Sequence, residues 1–301
     1  MSLLPSATEI VGCIGAVDML VGVSHECDHP PGIRRCEVLT RSRLPETATS
    51  AAIDRAVRDV TADALSIYAI DEAALARLSP DVIVTQDLCE VCAVSLDDVR
   101  AAVARLAHRD DVAIVSLAPT RIAHVLDDVE RVAAALGREQ AGRKARTELT
   151  ARIDAVADSA REAHARPRVV SIEWIDPLML GGTWMPELIE LAGGVPVGVE
   201  SGAPAPTVTP AELAALDPDV VLIKPCGFTV ARTLEERATI DEQILGCVRP
   251  DTAVYLADGN AYFNRPGPRL VESLEILASC VHPELLEPPP SLAPDALVRL
   301  A

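Results

Sequence analysis

Two stretches of this chain repeat the same pattern of residues. Residues 71–84 read DEAALARLSPDVIV and residues 210–223 read PAELAALDPDVVLI, so each has a short amphipathic helix, then Leu-x-Pro-Asp, then an apolar run. Proline cannot continue a helix, and the β-branched run behind it is typical of a buried parallel strand. A second pair, residues 9–23 and 187–199, repeats a helix stopped by glycine and a short Val-Gly-Val strand. The repeats predict two lobes of similar build.

Strands and helices alternate through both predicted lobes, which indicates mostly parallel sheets with right-handed crossovers. In the first lobe we predict strands at 2–4, 20–23, 82–85 and 112–116 and helices at 7–14, 72–78 and 96–107. In the second lobe we predict strands at 168–173, 195–198, 220–223 and 253–257 and helices at 186–192, 211–216 and 268–280.

Residues 121–165 lie between the lobes and contain no strand pattern. One helix is predicted over 121–136, and a second over 139–165 would be about 38 Å long, enough to act as a stiff spine. The expected fold is therefore α/β, with two Rossmann-like lobes of mostly parallel sheet joined by a long spine helix. The predicted divisions are an N-terminal lobe at 1–120, connecting helices at 121–166, a C-terminal lobe at 167–281 and a surface tail at 282–301.

Charge and hydropathy exclude several classes of function. The formal net charge of −18 repels phosphate backbones, which argues against nucleic-acid binding. No apolar run approaches the roughly 20 residues of a membrane helix, so membrane insertion is not expected. The start at Met1 shows neither the basic stretch nor the apolar core of a signal peptide. This predicts a cytoplasmic protein, or a periplasmic or extracytoplasmic one if a leader is missing from the sequence.

Aromatic residues are rare, and most of them follow predicted strands of the second lobe. Of seven in the chain, five lie in or beside such loops: Trp174, Trp184, Phe228, Tyr262 and Phe263. Ligands bind beyond the carboxyl ends of parallel strands, so these rings are predicted to line an apolar pocket, with local loop packing as the alternative. Arg265 is predicted to meet an anionic or amide-bearing ligand; a solvated arginine is the alternative.

The corresponding loops of the first lobe carry polar and sulfur groups instead. Residues 24–29 read Ser-His-Glu-Cys-Asp-His, and residues 87–92 contain Cys89-x-x-Cys92. Two thiolates at this spacing converge on one ion or form one disulfide, and Cys27 or His25 could complete a tetrahedral zinc site. Buried or redox-labile thiols are the alternative, because a second ligand pair at standard spacing is missing.

Several catalytic classes lack their motif. The chain has no phosphate-binding Gly-x-x-x-x-Gly-Lys, no Gly-x-Gly-x-x-Gly after a strand and no Gly-x-Ser-x-Gly elbow. Cys–His chemistry using Cys89 or Cys92 stays open as an enzymatic alternative, metal- or thiol-dependent. The chain is otherwise expected not to be an enzyme.

The segment Leu3-Leu4-Pro5-Ser6-Ala7-Thr8-Glu9-Ile10, the Leu-x-Pro-Asp repeats and residues 262–269, Tyr-Phe-Asn-Arg-Pro-Gly-Pro-Arg, together carry a family resemblance. The chain resembles the periplasmic-binding-protein family of helical-backbone type over residues 2–280. It is most similar to the cobalamin-binding proteins of vitamin B12 ABC transporters, in a cysteine-bearing, leaderless form. This implies two lobes that clasp a ligand, with Ser6, His25 and Asp28 binding from the first lobe.

The resemblance also implies a transporter partner. In the cobalamin-binding proteins one glutamate on each lobe docks onto the permease. The matching positions here are Ala73 and Ala211, with Glu72 and Glu212 one residue away as the docking candidates.

The predicted function is binding of a corrinoid in the cleft between the lobes, for uptake or for handling inside the cell. His25 or a cysteine is expected to approach the metal centre, because imidazole and thiolate are axial ligands. Haem or a siderophore is the nearest substitute for the corrinoid. The alternatives are the enzyme that uses Cys89 and Cys92, with zinc or iron as its metal, and a chaperone or sensor that passes on a corrinoid.

Overall fold

A computed structural model describes residues 1–44, 48–62, 67–86, 100–101 and 112–301. The chain forms two units. Unit 1 consists of Met1–Ala48, Ala52–Pro119 and Ala123–Glu148, and unit 2 consists of Thr49–Ala51, Thr120–Ile122 and Leu149–Ala301. Both units have the α/β architecture with parallel pairing that the repeats predict, which confirms the predicted fold class.

The described residues of unit 1 form six short strands. They are β1 (Gly22–Val23), β2 (Glu37–Val38), β3 (Thr40–Ser42), β4 (Tyr68–Ile70), β5 (Val82–Gln86) and β6 (Ala113–Leu117). β1 pairs with β2 and β5 with β6 in parallel, whereas β3 and β4 are antiparallel. Its helices in the described residues are Pro5–Cys13, Ser50–Ala62 from Ala52 onward, Glu72–Leu78, Ile122–Ala135 from Ala123 onward and the first part of Glu139–Arg161, and single 3-10 turns span Val17–Met19 and Ile33–Arg35. Met1, Leu3, Leu75 and Ile83 are among its buried core residues.

The predicted strand over 2–4 is not a regular strand. Ser2 makes isolated bridges to Val23 and to Val84, so the first residues connect β1 and β5. Pro5 then starts a helix directly after Leu4, because proline suits the first helical turn and has no N–H to leave unsatisfied. The predicted helix over 96–107 lies outside the described residues except at 100–101.

The sequence pattern does not predict the structure between residues 24 and 70. β2, β3, β4 and the helix Ser50–Ala62 all lie there. The strands are only two or three residues long, too short to show a periodic pattern of apolar residues.

Unit 2 is built on one six-stranded sheet. The strands are β7 (Arg168–Trp174), β8 (Met179–Leu180), β9 (Val195–Pro196), β10 (Val220–Ile223), β11 (Ala253–Ala257) and β12 (Leu297–Arg299), in the order β12-β11-β10-β7-β8, with β9 also on β7. β7, β10 and β11 are parallel, and Val221 lies between Val170 and Val254. All four residues of β10 are buried, as expected for a central parallel strand.

The helices of unit 2 cover this sheet. They are Met185–Leu191, Pro210–Ala215, Val230–Leu234, Arg237–Ile240 and Leu270–Val281, with π-helical turns at Asp241–Leu245 and Gly259–Phe263. The long helix Glu139–Arg161 has 23 residues and ends four residues short of its predicted end. None of the helices in the described ranges is long and apolar enough to span a membrane.

The last residues of the chain were expected to form a surface extension. In the structure β12 instead pairs antiparallel with β11 through Leu256 and Val298 and completes one edge of the sheet. The strand has only three residues and follows a proline-rich stretch, so its own sequence does not mark it.

Candidate functional site

The carboxyl ends of β7, β10 and β11 lie at one edge of the sheet of unit 2, because the three strands are parallel and in register. The loops that follow them begin at residues 175, 224 and 258. Every aromatic residue predicted to bind ligand, except Trp184, lies at the end of one of these strands or in the segment after it. This edge is where ligands bind in open parallel sheets.

A buried ion pair lies at this edge. Lys224 directly follows β10, its side chain is only 1% exposed, and its Nζ lies 3.3 Å from Glu173 Oε2. Lys224 Nζ also donates to Asn264 Oδ1 at 3.2 Å. Asn264 Nδ2 in turn donates to the carbonyl oxygens of Lys224 at 3.3 Å and Gly259 at 2.8 Å. A buried ammonium group requires such partners, so this network holds the three loops together.

Gly259 allows this close approach of the loops. A Cβ at this position would lie 2.2 Å from the carbonyl oxygen of Pro225 and 2.6 Å from that of Lys224. Both atoms belong to the backbone and cannot move aside as a flexible side chain can. Only glycine therefore fits between the β10 and β11 loops.

Trp174 and Phe228 pack against each other; Trp174 is half-buried, whereas Phe228 is only 5% exposed. Their ring centroids are 5.3 Å apart and the planes are tilted by 54°. The guanidinium carbon of Arg232 lies 4.3 Å from the centroid of Phe228. Trp174 is half-buried, so one large aromatic surface remains available at this edge.

The other three predicted aromatic residues are buried, as Phe228 is. Trp184, Tyr262 and Phe263 are 6%, 8% and 0% exposed, and Trp184 Nε1 donates to the carbonyl oxygen of Phe263 at 3.2 Å. Arg265 is also buried, and one of its terminal nitrogens lies 3.3 Å from Asn260 Oδ1, so it is not a solvated arginine. In this structure these side chains pack against their own loops, and their contact with a ligand stays a prediction.

In unit 1 the loop after β1 presents an exposed histidine. His25 Nδ1 lies 2.7 Å from Thr40 Oγ1, and the backbone N–H of His25 donates to the same oxygen at 3.0 Å. The Thr40 hydroxyl donates its own proton in a hydrogen bond to Ser24 Oγ, at 3.0 Å. The Thr40 oxygen can therefore only accept from His25, so Nδ1 carries the proton and Nε2 carries the lone pair.

The electrostatics of this loop favour the neutral imidazole. Partial burial lowers the pKa of His25, and the carboxylate of Glu26 opposes this shift only in part. A neutral imidazole with a free Nε2 lone pair is the form that coordinates metals.

Tyr68 lies beside His25 and was not among the predicted site residues. The two ring centroids are 5.3 Å apart, and the phenol donates to Glu26 Oε1 at 2.8 Å. Tyr68 is the only aromatic residue before Trp174 in the sequence, which was the one signal that could have drawn attention to it. Its strand, β4, was not predicted.

The remaining predicted residues of unit 1 differ in burial and in hydrogen bonding. Cys27 is buried, with Sγ 3.0 Å from Thr8 Oγ1. Ser6 is 1% exposed, and its hydroxyl has no hydrogen-bond partner among the described residues. Asp28 is exposed. In the described ranges no three His, Cys, Asp or Glu side chains are placed to share a metal ion. Cys89 and Cys92 lie outside those ranges, so the zinc or iron site stays a prediction.

Both docking candidates, Glu72 and Glu212, lie in the first turn of a repeated helix. Glu212 Oε2 accepts hydrogen bonds from the backbone N–H of Thr209 at 2.7 Å and from its hydroxyl at 2.9 Å. These bonds lower the pKa of Glu212 and complete a capping box at the start of the helix Pro210–Ala215. Glu72 is exposed in the first turn of the repeated helix in unit 1. Docking by either residue stays a prediction.

The fold is similar to that of several solved structures. A periplasmic heme binding protein from Pseudomonas aeruginosa has a TM-score of 0.73 at 18% identity, covering 100% of this chain and 96% of that one. The heme-binding protein RhuT from Roseiflexus sp. RS-1 gives 0.68 at 20% identity, covering 94% and 97%. The vitamin B12 binding protein BtuF of Vibrio cholerae gives 0.65 at 20% identity, covering 93% and 94%.

Sequence comparison identifies the family. No curated protein matches the sequence. The family model described as "Periplasmic binding protein" matches residues 2–246, which is most of the chain. The family resemblance drawn from the sequence is thereby confirmed: this chain belongs to the periplasmic binding protein family.

Proposed function

We propose that this chain binds a corrinoid of the cobalamin type and that His25 coordinates its metal centre. The observation that carries the proposal is the hydrogen-bonded tautomer of His25. Its Nδ1 proton is held by Thr40 at 2.7 Å, which leaves Nε2 as a lone-pair donor on an exposed side chain. An imidazole prepared in this way is suited to an axial position on a metal already enclosed by a macrocycle.

Family membership and fold similarity support binding over catalysis. Structures with the same fold are named as binding proteins for vitamin B12 or heme. The enzymatic alternative depends on Cys89 and Cys92, which lie outside the described residues. We also propose, from the family, a periplasmic or otherwise extracytoplasmic location and delivery of the ligand to an ABC transporter permease.

Haem is the second candidate ligand, and Tyr68 is the observation that favours it. Tyrosinate and imidazole both bind haem iron, and the rings of Tyr68 and His25 are 5.3 Å apart. A corrinoid would use the imidazole alone. The two ligands therefore differ in whether the phenol is needed.

A titration with two chelates tests the proposal. Hydroxocobalamin carries a replaceable axial group, so we expect its absorption bands to shift saturably with micromolar protein. Cyanocobalamin, whose axial positions are occupied, should give binding heat with little spectral change. Haemin in a parallel titration tests the second candidate, with Tyr68→Phe showing whether the phenol contributes. If neither chelate binds at micromolar protein, the proposed function is wrong.

The variant His25→Ala tests the ligand role directly. We expect it to abolish the shift of the corrinoid bands and to weaken binding by on the order of tenfold to a hundredfold. His164→Ala is the matched control, because His164 is an exposed histidine in unit 2. An unchanged spectrum for His25→Ala would show that another group, or none, coordinates the metal.

A further inference from the structure

The two carboxylate oxygens of Glu173 differ in their hydrogen bonds. Its Oε2 contacts Lys224 Nζ at 3.3 Å and accepts a hydrogen bond from the backbone N–H of Gly182 at 3.2 Å. Oε1 takes part in none of the hydrogen bonds among the described residues, and the side chain is 22% exposed. The carboxyl edge of unit 2 therefore offers a fixed hydrogen-bond acceptor.

Lys224 positions this acceptor but is itself out of reach of a ligand. Its side chain is 1% exposed, and its ammonium group already has Glu173 and Asn264 as partners. The edge thus presents a carboxylate oxygen to solvent and keeps the ammonium group inside. An anionic group on a ligand would meet the carboxylate and not the lysine.

The neighbouring cation does not reverse this preference. Arg232, which lies over Phe228, contacts Glu236 at 3.1 Å and Glu235 at 3.3 Å. Its charge is therefore shared between two carboxylates. Three carboxylates, those of Glu173, Glu235 and Glu236, thus stand against two cations, Lys224 and Arg232.

We infer that Glu173 selects macrocycles whose rim carries amides over macrocycles whose rim carries carboxylates. The rim of a corrinoid bears primary amides, whose N–H groups can donate to Oε1. The rim of haem bears two propionates, which would place like charges together. This inference rests on the proposed function, because it takes the ligand to be a corrinoid, and it concerns the carboxyl edge of unit 2 alone.

Substitution of Glu173 gives the first test. We expect Glu173→Gln to weaken hydroxocobalamin binding about tenfold, because one hydrogen bond to a charged acceptor is replaced. We expect the same change to strengthen haemin binding, so the ratio of the two dissociation constants moves toward haem. Glu242→Gln is the matched control: it removes an exposed carboxylate elsewhere on unit 2, and it should leave the ratio unchanged.

Two further measurements keep the inference testable if Glu173→Gln folds poorly. The double variant Glu173→Gln/Lys224→Met leaves no buried ammonium without its carboxylate and should show the same change of ratio. The second measurement uses the unaltered protein and cobalamin derivatives in which one peripheral amide is hydrolysed to a carboxylate. At least one isomer should bind about tenfold more weakly than intact hydroxocobalamin.

The outcomes separate the two claims. If the unaltered protein binds neither hydroxocobalamin nor haemin, the proposed function fails. If it binds both chelates but prefers haemin, or if all monocarboxylate isomers bind as tightly as the intact hydroxocobalamin, only the role of Glu173 is overturned. An unchanged ratio in the folded double variant would overturn it as well.

Discussion

The loops at the carboxyl ends of the strands differ in construction between the two units. In unit 2 the side chains after β7, β10 and β11 are mostly buried and hold one another, as in the contacts among Glu173, Lys224 and Asn264. In unit 1 the imidazole of His25 is exposed and is oriented by one hydroxyl group, that of Thr40. Substitutions in the unit 2 loops should therefore affect folding before binding, and those around His25 should affect binding before folding.

The largest expected effect is on stability, at Phe263. Its side chain is fully buried in the loop after β11, and truncation to alanine would leave a cavity. We expect Phe263→Ala to lower the free energy of unfolding by about 3–5 kcal/mol, measured by urea denaturation. Trp174→Ala, at a half-buried position, should cost clearly less. Equal losses at the two positions would remove the distinction between core and exposed aromatic residues in unit 2.

A smaller loss is expected at Glu236. This buried carboxylate accepts hydrogen bonds from the backbone N–H of Ser50 at 2.7 Å and from the Ser50 hydroxyl, both within unit 2. Because bonds to a charged acceptor are lost, Glu236→Gln should cost about 1.5–3 kcal/mol of unfolding free energy. The control Glu235→Gln lies on the surface and should change stability by less than about 0.5 kcal/mol. A loss no greater than that of the control would mean that the contact to Ser50 contributes little.

The pH dependence of binding tests the state of His25 in unit 1. Burial lowers its pKa, so the neutral form persists below the ordinary value of about 6.5. We expect the affinity for hydroxocobalamin to hold as the pH falls through that value and then to drop about tenfold per pH unit below the lowered pKa. A decline that begins above about pH 6.5 would contradict the shift; His25→Ala supplies the flat reference profile.

The same shift has a consequence for stability. The folded state binds fewer protons at His25 than the unfolded state does in the acid range. The contribution of this residue is therefore complete above the ordinary pKa and decreases as the pH falls below it.

The smallest effects are expected at the caps of the repeated helices, where the two units should agree. Asp71 Oδ1 accepts a hydrogen bond from the backbone N–H of Ala74 at 2.9 Å, and Thr209 Oγ1 accepts one from that of Glu212 at 3.2 Å. Replacing either cap by alanine should cost about 1 kcal/mol. Thermal denaturation of the two variants measures this, and a large difference between them would show that the repeat is not equivalent in its energetics.

The repeated motif was predictable because its signals are local. The helix Glu72–Leu78 and the strands β10 and β11 have the predicted bounds. In both repeats the residue before proline adopts a left-handed conformation, with φ of 43° at Ser79 and 46° at Asp217. Helical spacing, a proline stop and a β-branched run each act over a few residues, so they can be read without knowledge of the rest of the chain.

The candidate site was predictable only in part. The sequence indicated the loops that carry His25, Trp174 and Phe228, since each follows a predicted strand. It did not indicate Tyr68 or Thr40, whose strands have only three residues each, nor the contact between Glu173 and Lys224. Nor could it separate Trp174, which is half-buried, from Phe263, which is fully buried, because burial depends on residues distant in the chain.

By itself, the sequence determined the α/β class, the internal repeat, the acidic charge and the family resemblance, because composition and short-range periodicity are properties of the chain alone. Tertiary structure decided which nitrogen of His25 carries the proton, since that depends on the Thr40 hydroxyl 15 residues away. It also decided which oxygen of Glu173 contacts Lys224, 51 residues further along the chain. Hydrogen bonds act over about 3 Å in space, and only folding brings those groups within that distance.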